Sequence, residues 1–418
     1  MISNVRAPGH GLPPLRTRSS KPRRNQNETP CVNALAAICT AGTVAGQTRF
    51  STIYNISVGR PNGLALLHGA IYGVVWDTGC GYVFQLQPPS VPGEVWNEDL
   101  LHTFAQTDDG CGPTGPLVPG AGRSLYGLTE AGGQNDYGTV YQLQPPASPG
   151  GPWTETVAYS FNAINDEGGG NPESWLTAGP AGSFYVVDQY NSGSLLQLIP
   201  PADPIFPWTG ALLYELGEGG NWVVAGPHGA LYAMEATGGI YGEGSIVQIA
   251  PPQAPGGEWT QNLLYSFGCC NESAPGNPDN LTAGPDGTFY GTTWGENPGI
   301  GYYFGAGAAF SLTPPSSPGG DWTYATLHYF GGNHPDSALV LYNGNLYGTV
   351  QTFDGGTVFE LQPPTASGGP WSITYLHNFN NYQIPLGLVI DKNGTIYGMT
   401  DSYPTDPPSG TIFKIETQ

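Results

Sequence analysis

The chain has 418 residues, only 10% of them charged, and its 64 glycines and 41 prolines sit beside 39% hydrophobic and 12% aromatic residues. So much Gly and Pro among so many apolar side chains excludes a disordered polymer and calls for many short strands joined by tight turns. No apolar run is long enough for a membrane-spanning helix.

Charge is unevenly spread. Six of the eleven basic residues (Arg6, Arg16, Arg18, Lys21, Arg23, Arg24) lie in the first 24 positions. From Gln47 onward, five basic residues face thirty-one acidic ones, a balance of −26. Such a body repels phosphate backbones and anionic bilayers, so neither nucleic acid nor a membrane surface is an expected partner.

The basic stretch runs into a mildly apolar, small-residue segment from Cys31 to Gly46. Charge, apolar run and small-residue exit form the layout of a secretory signal. Residues 1–46 are therefore expected to be an export leader processed near Val44-Ala45-Gly46, and 47–418 the working body.

The body opens with Phe50-Ser51-Thr52-Ile53-Tyr54-Asn55-Ile56, a strand without a partner of its own. Thereafter one pattern recurs. Its first motif is Ile71-Tyr72-Gly73, Leu125-Tyr126-Gly127, Phe184-Tyr185-Val186, Leu231-Tyr232-Ala233, Phe289-Tyr290-Gly291, Leu346-Tyr347-Gly348 and Ile396-Tyr397-Gly398. The tyrosines are 54, 59, 47, 58, 57 and 50 residues apart. A Val-Phe-Gln-Leu type strand follows each, from Val83-Phe84-Gln85-Leu86 to Ile412-Phe413-Lys414-Ile415. A Pro-Pro loop, unable to continue a ladder, ends that strand in most copies. A third motif starts at Trp96, Trp153, Trp208, Trp259, Trp322 and Trp371 and ends eight residues later on Phe104, Phe161, Leu216, Phe267, Phe330 and Phe379.

Each repeat reads as four short antiparallel strands, with turns such as Pro285-Asp286-Gly287-Thr288 between the first two. Seven such units make an all-β, seven-bladed propeller of four-stranded antiparallel blades. The last copy ends at Ile415 without a Trp-led strand, so residues 50–56 are expected to close the final blade and remove its open edge. The small residue after each tyrosine reads as close packing between neighbouring sheets. The tryptophans read as core or blade-edge packing, and His102, His328 and His377 as one structural slot that tyrosine fills in other copies.

These motifs resemble the GloVer tandem repeat, with Asp286-Gly287-Thr288-Phe289-Tyr290-Gly291-Thr292-Thr293 and Trp259 through Phe267 as close matches. The resemblance implies an exported bacterial protein, secreted or at the cell surface. It brings no activity that can be assigned to any residue.

No phosphate-binding glycine loop, nucleophile elbow or zinc-protease motif is present, and Gly238 to Gly244 reads as a turn. No metal ligand set or cofactor is read, although a bridging Ca2+ is compatible with an acidic rim. In an oxidising compartment Cys80 and Cys111 are expected to pair, since both fall in loops opening on one face. Cys269 and Cys270 are adjacent and are left as either a vicinal bridge or free thiols.

Directly after each Tyr-Gly strand the residue type varies: Trp76, Glu130, Asp188, Glu235, Trp294, Gln351 and Asp401. These seven are expected to form a ligand-binding rim around one mouth of the channel. Two function classes stay open: a monomeric, non-catalytic binding or surface-scaffold propeller with a glycan or other extracellular ligand, or a carbohydrate-active hydrolase or lyase using acidic loop residues.

Overall fold

The computed structural model describes residues 48–417 except 92, 106–107, 149, 163–171, 173–174, 189–192, 204–205, 217–219, 255, 269–275, 296–306, 318, 336, 367, 381 and 403–408. The leader and the Cys269–Cys270 pair lie outside the described residues.

Seven antiparallel sheets follow one another along the chain, each using its strands in sequence order from inner to outer. The first comprises Arg60–Leu67, Ala70–Trp76, Tyr82–Gln87 and Asn97–Thr103. The seventh comprises Gln383–Ile390, Ile396–Ser402 and Ser409–Thr417, completed on its outside by Thr48–Ile56. The opening strand therefore closes the ring as expected, pairing from Thr48↔Thr417 to Ile56↔Gly410.

The motifs are explained by their contacts. Each tryptophan stands one residue before its outer strand and packs against the repeat tyrosine of the preceding blade. Trp153 meets Tyr72 at 6.4 Å between ring centroids, Trp208 meets Tyr126 at 5.5 Å, and Trp322 meets Tyr232 at 6.2 Å. Trp96 completes the circuit on Tyr397 of the last blade at 5.9 Å. The tyrosine hydroxyl is held by the glutamine of the next strand: the Gln85 amide donates to Tyr72 at 2.6 Å and the Gln142 amide to Tyr126 at 2.7 Å. The spacing of eight has a cause too, because the residue ending the third motif donates its amide to the carbonyl of a glycine at the start of the third strand or just before it. Phe104 bonds Gly81 at 3.0 Å, Phe267 bonds Gly244 at 2.8 Å and Phe379 bonds Gly356 at 2.8 Å.

The small residue after tyrosine is crowded from within its own sheet, not by the neighbouring one. Gly73 is paired with Phe84, and a Cβ there would lie 2.3 Å from the Phe84 ring. Gly291, Gly348 and Gly398 sit under Phe310, Phe359 and Phe413 in the same way. Where the ring is absent the glycine is absent: Val186 opposes Leu196, and Ala233 opposes Val247. The histidine slot is structural, as His102, His328 and His377 each lie edge-on to the phenylalanine two residues on, at 4.7, 5.0 and 4.6 Å.

Neighbouring blades are also joined near one mouth by a glycine–proline contact. A Cβ on Gly81, Gly244, Gly356 or Gly410 would come within 2.8 Å of a proline of the following blade: Pro113, Pro278, Pro385 and Pro61. The last of these again joins blade seven to blade one.

Candidate functional site

Antiparallel alternation sends the ends of all second strands, the loops that follow them, and the crossings from outer to inner strand to one face. Cys80 and Cys111 meet there as a disulfide with a Cα separation of 4.5 Å. The Gly112 amide also bonds the Cys80 carbonyl at 2.9 Å, fixing the crossing from blade one to blade two.

The rim residues divide by parity. Trp76, Glu130, Trp294, Gln351 and Asp401 stand four after their tyrosines and are at least partly accessible, with Trp76 45% and Trp294 39% exposed. Asp188 and Glu235 stand three after theirs and are buried. A strand turns successive side chains to opposite faces, so these two take the buried slot held elsewhere by Val75, Thr129, Thr293, Val350 and Thr400. Glu235 accepts hydrogen bonds there from the Ser245 hydroxyl and from the Gln261 amide, the latter at 2.9 Å. The expected seven-residue rim is thus a set of five, two exposed indoles and three partly accessible polar residues, with Asp188 and Glu235 turned into the body.

A second tier, missed in the sequence reading, comes from the inner strands. In blade five the inner strand bulges beside Pro278, and Asp279 is the extra residue between Pro278 and Asn280. Asp279 accepts from the Asn280 amide at 3.1 Å and from the Trp294 indole. Burial pushes its carboxyl above the usual range, and those two donors oppose the shift. His334 of the next blade lies 5.2 Å from the Trp294 ring, and burial lowers its pKa against a bond to the Trp294 backbone. Its strand pairs His334 with Gln351, so Asp279, Trp294, His334 and Gln351 are contiguous. The detectable signal was the recurrence of Asn171-Pro172-Glu173, Asn277-Pro278-Asp279 and His334-Pro335-Asp336 one strand ahead of the tyrosine motif.

Across the ring, Arg60 lies 3.7 Å from Asp401 and is paired in register with Trp76. The Trp76 indole covers Gly112, beside Glu130. Burial raises the Asp401 pKa, while the Arg60 guanidinium and the Ser402 amide pull it back. Indole, carboxylate and one guanidinium therefore span blades seven, one and two.

Two cavities among the described residues lie near these groups or between blades. One, of about 300 Å³, is lined by inner strands of blades three to six and includes Trp175 and Trp222, whose rings are 4.4 Å apart. Its walls are uncharged, and the Trp222 indole donates to the Leu281 carbonyl at 3.0 Å. The other, of about 350 Å³, lies between the outer parts of blades one and two and is lined by Asp108, Asp109, Gln134, Glu155, Val157 and Ser160. Asp109 pairs with His102 at 3.1 Å. Burial, reinforced by the Asp109 charge, pushes the Glu155 carboxyl up to about 7. Among the described residues no group of three or more His, Cys, Asp or Glu side chains is placed to hold a metal ion, and no helix is long and apolar enough to cross a membrane.

Strand order, closure and this aromatic, acidic mouth define a seven-bladed β-propeller with one chemically distinct face. Residues 219–418 match the model of the Gloeobacter/Verrucomicrobia repeat, the family its motifs resemble. No curated protein matches the sequence. Solved structures of similar fold include a streptogramin B lyase, with 13% identity, a TM-score of 0.53 and coverage of 89% of this chain and 98% of that one. Virginiamycin B lyase from Staphylococcus aureus gives 14% identity, a TM-score of 0.52 and coverage of 89% and 100%. A polysaccharide (ulvan) lyase bound to -[GlcA(1-4)Rha3S]- gives 9% identity, a TM-score of 0.55 and coverage of 87% and 95%. At such identities the likeness is one of fold.

Proposed function

We propose that the protein is an exported, non-catalytic binding propeller that takes a carbohydrate on the face carrying Trp76 and Trp294. The observation that supports this most is the exposure of those two indoles at the ends of strands that are otherwise almost wholly buried. An open indole beside a carboxylate suits a sugar, whose ring face stacks while its hydroxyls take hydrogen bonds. Phe353, Tyr241 and Tyr382, also exposed, add aromatic surface in loops at the same end. The Cys80–Cys111 disulfide supports export into an oxidising compartment. The test is a glycan array with the W76A and W294A variants. Loss of glycan binding at an unchanged melting temperature supports the reading, and full retention refutes it.

A second reading is favoured by the Asp109–Glu155 cleft. A carboxyl pushed up to about 7 beside a second acidic side chain suits acid–base chemistry on a glycosidic bond. Oligosaccharide cleavage lost in E155Q would support it over the binding reading.

A further inference from the structure

The five basic residues of the body are distributed in a way that selects among carbohydrates. Arg123 and Lys392 lie in or beside the turns between inner and second strands, at the end opposite the indoles. Arg49 and Lys414 lie at that same far end of the closing blade, with Arg49 opposite Glu416 and Lys414 bonded to it at 2.8 Å. Arg60 alone stands at the indole end among the described residues, and its charge is already met by Asp401 at 3.7 Å.

Acids lie at both ends, with Glu94, Asp203, Glu258, Asp286, Asp321 and Asp391 at the far one, but at the indole end Arg60 is the one Lys or Arg that faces them among the described residues. Asp77, Asp108, Asp109, Glu130, Asp354 and Asp401 all stand at the ends of second strands or in the loops and crossings of that face. Asp279 adds a carboxylate that is largely removed from water, held by the indole N–H of Trp294 while that ring keeps an open surface. An anionic saccharide would meet an uncompensated negative field there. A neutral one would stack on the indoles but draw nothing from the charge. A cation gains twice, from the carboxylate and from the aromatic face.

We infer that the ligand of this mouth is an amino sugar polymer, whose ammonium groups meet Asp279 and the rim carboxylates while its rings stack on Trp294 and Trp76. This rests on the carbohydrate reading of the same face and narrows it to a basic saccharide. The Asp279–Trp294–His334 cluster is then the anchoring subsite, and the Trp76–Glu130 edge accepts units further along the polymer.

The experiment is titration calorimetry of the full chain at about pH 6, where most sugar amines are charged. Three hexasaccharides are used: fully deacetylated glucosamine, its N-acetylated counterpart, and oligogalacturonate. The glucosamine oligomer is expected to bind at least about tenfold tighter than the acetylated one, with the margin shrinking as salt rises from about 50 to about 500 mM. Oligogalacturonate is expected not to bind. D279N should abolish the preference while leaving weak binding of the acetylated oligomer; if D279N fails to fold, E130Q at the partly open rim should reduce the preference instead. Equal affinity for the first two oligomers, or tighter binding of oligogalacturonate, overturns the charge inference but leaves the carbohydrate reading standing. No heat with any of the three, together with a blank glycan array, overturns both.

Discussion

The pairing of Gly73 with Phe84 makes a quantitative prediction about how these blades are built. Position 73 faces the fully buried Phe84 ring, and the three atoms nearest an added Cβ, at 2.3, 2.6 and 3.1 Å, all belong to that ring. The ring cannot retreat, because it is enclosed by Leu64, Ile71, Leu86 and Ile412. Gly73→Val should therefore destabilise by about 3 kcal/mol through overpacking. Phe84→Leu alone leaves a void and should cost about 1–2 kcal/mol. Blade three already carries the combination, with Val186 opposite Leu196, both fully buried. The double variant Gly73→Val/Phe84→Leu should accordingly recover at least about 1 kcal/mol relative to the sum of the single changes. Urea unfolding of the four proteins, followed by tryptophan fluorescence, measures the cycle. Strict additivity would show that the glycine is not required by the ring across from it, and the argument would fail.

Three further outcomes are expected. Cys80→Ser/Cys111→Ser opens a loop with a sequence separation of 31 and should cost about 3 kcal/mol, read as a lower urea midpoint, whereas non-reducing peptide maps of the native chain should show the Cys80–Cys111 link. Deleting residues 48–56 strips the outer strand from the last blade and should produce concentration-dependent aggregation by light scattering; a monodisperse, equally stable product would contradict closure by that strand. Glu155 has a folded pKa raised to about 7, so the folded state holds more protons than the unfolded one between its ordinary value of 4.5 and about 7. Its contribution should make stability fall as pH rises through that window and level off above it, and Glu155→Gln should remove that part of the slope.

The number of blades and the identity of the closing strand were legible because they depend on recurrence. Three motifs in register report four strands per unit, and an unmatched Trp-led strand at one end with a missing one at the other has a single resolution. The Cys80–Cys111 pair was legible for a related reason: strand alternation alone places both loops on one face. Contacts between side chains were less so. The tryptophans could be placed in packing, but that each one bridges to the tyrosine of the preceding blade follows from how the sheets are set around the ring.

Which rim residues face outward was written in the chain but overlooked: Asp188 stands three after its tyrosine and Asp401 four, and one residue of offset in a strand of period two sends the first into the body and leaves the second at the mouth. Tertiary structure alone decided the inner tier. Asp279 reaches Trp294 because an unpaired residue bulges from the inner strand beside Pro278, and the proline marks the bulge without saying where the side chain goes. Glu155 and Asp109 are 46 residues apart in the chain, so the burial that raises the Glu155 pKa, and the Asp109 charge that adds to it, arise only from packing. Repetition is a property of the chain and can be read along it; the chemistry of the face arises where repeats differ and where distant segments meet, and that is set by packing.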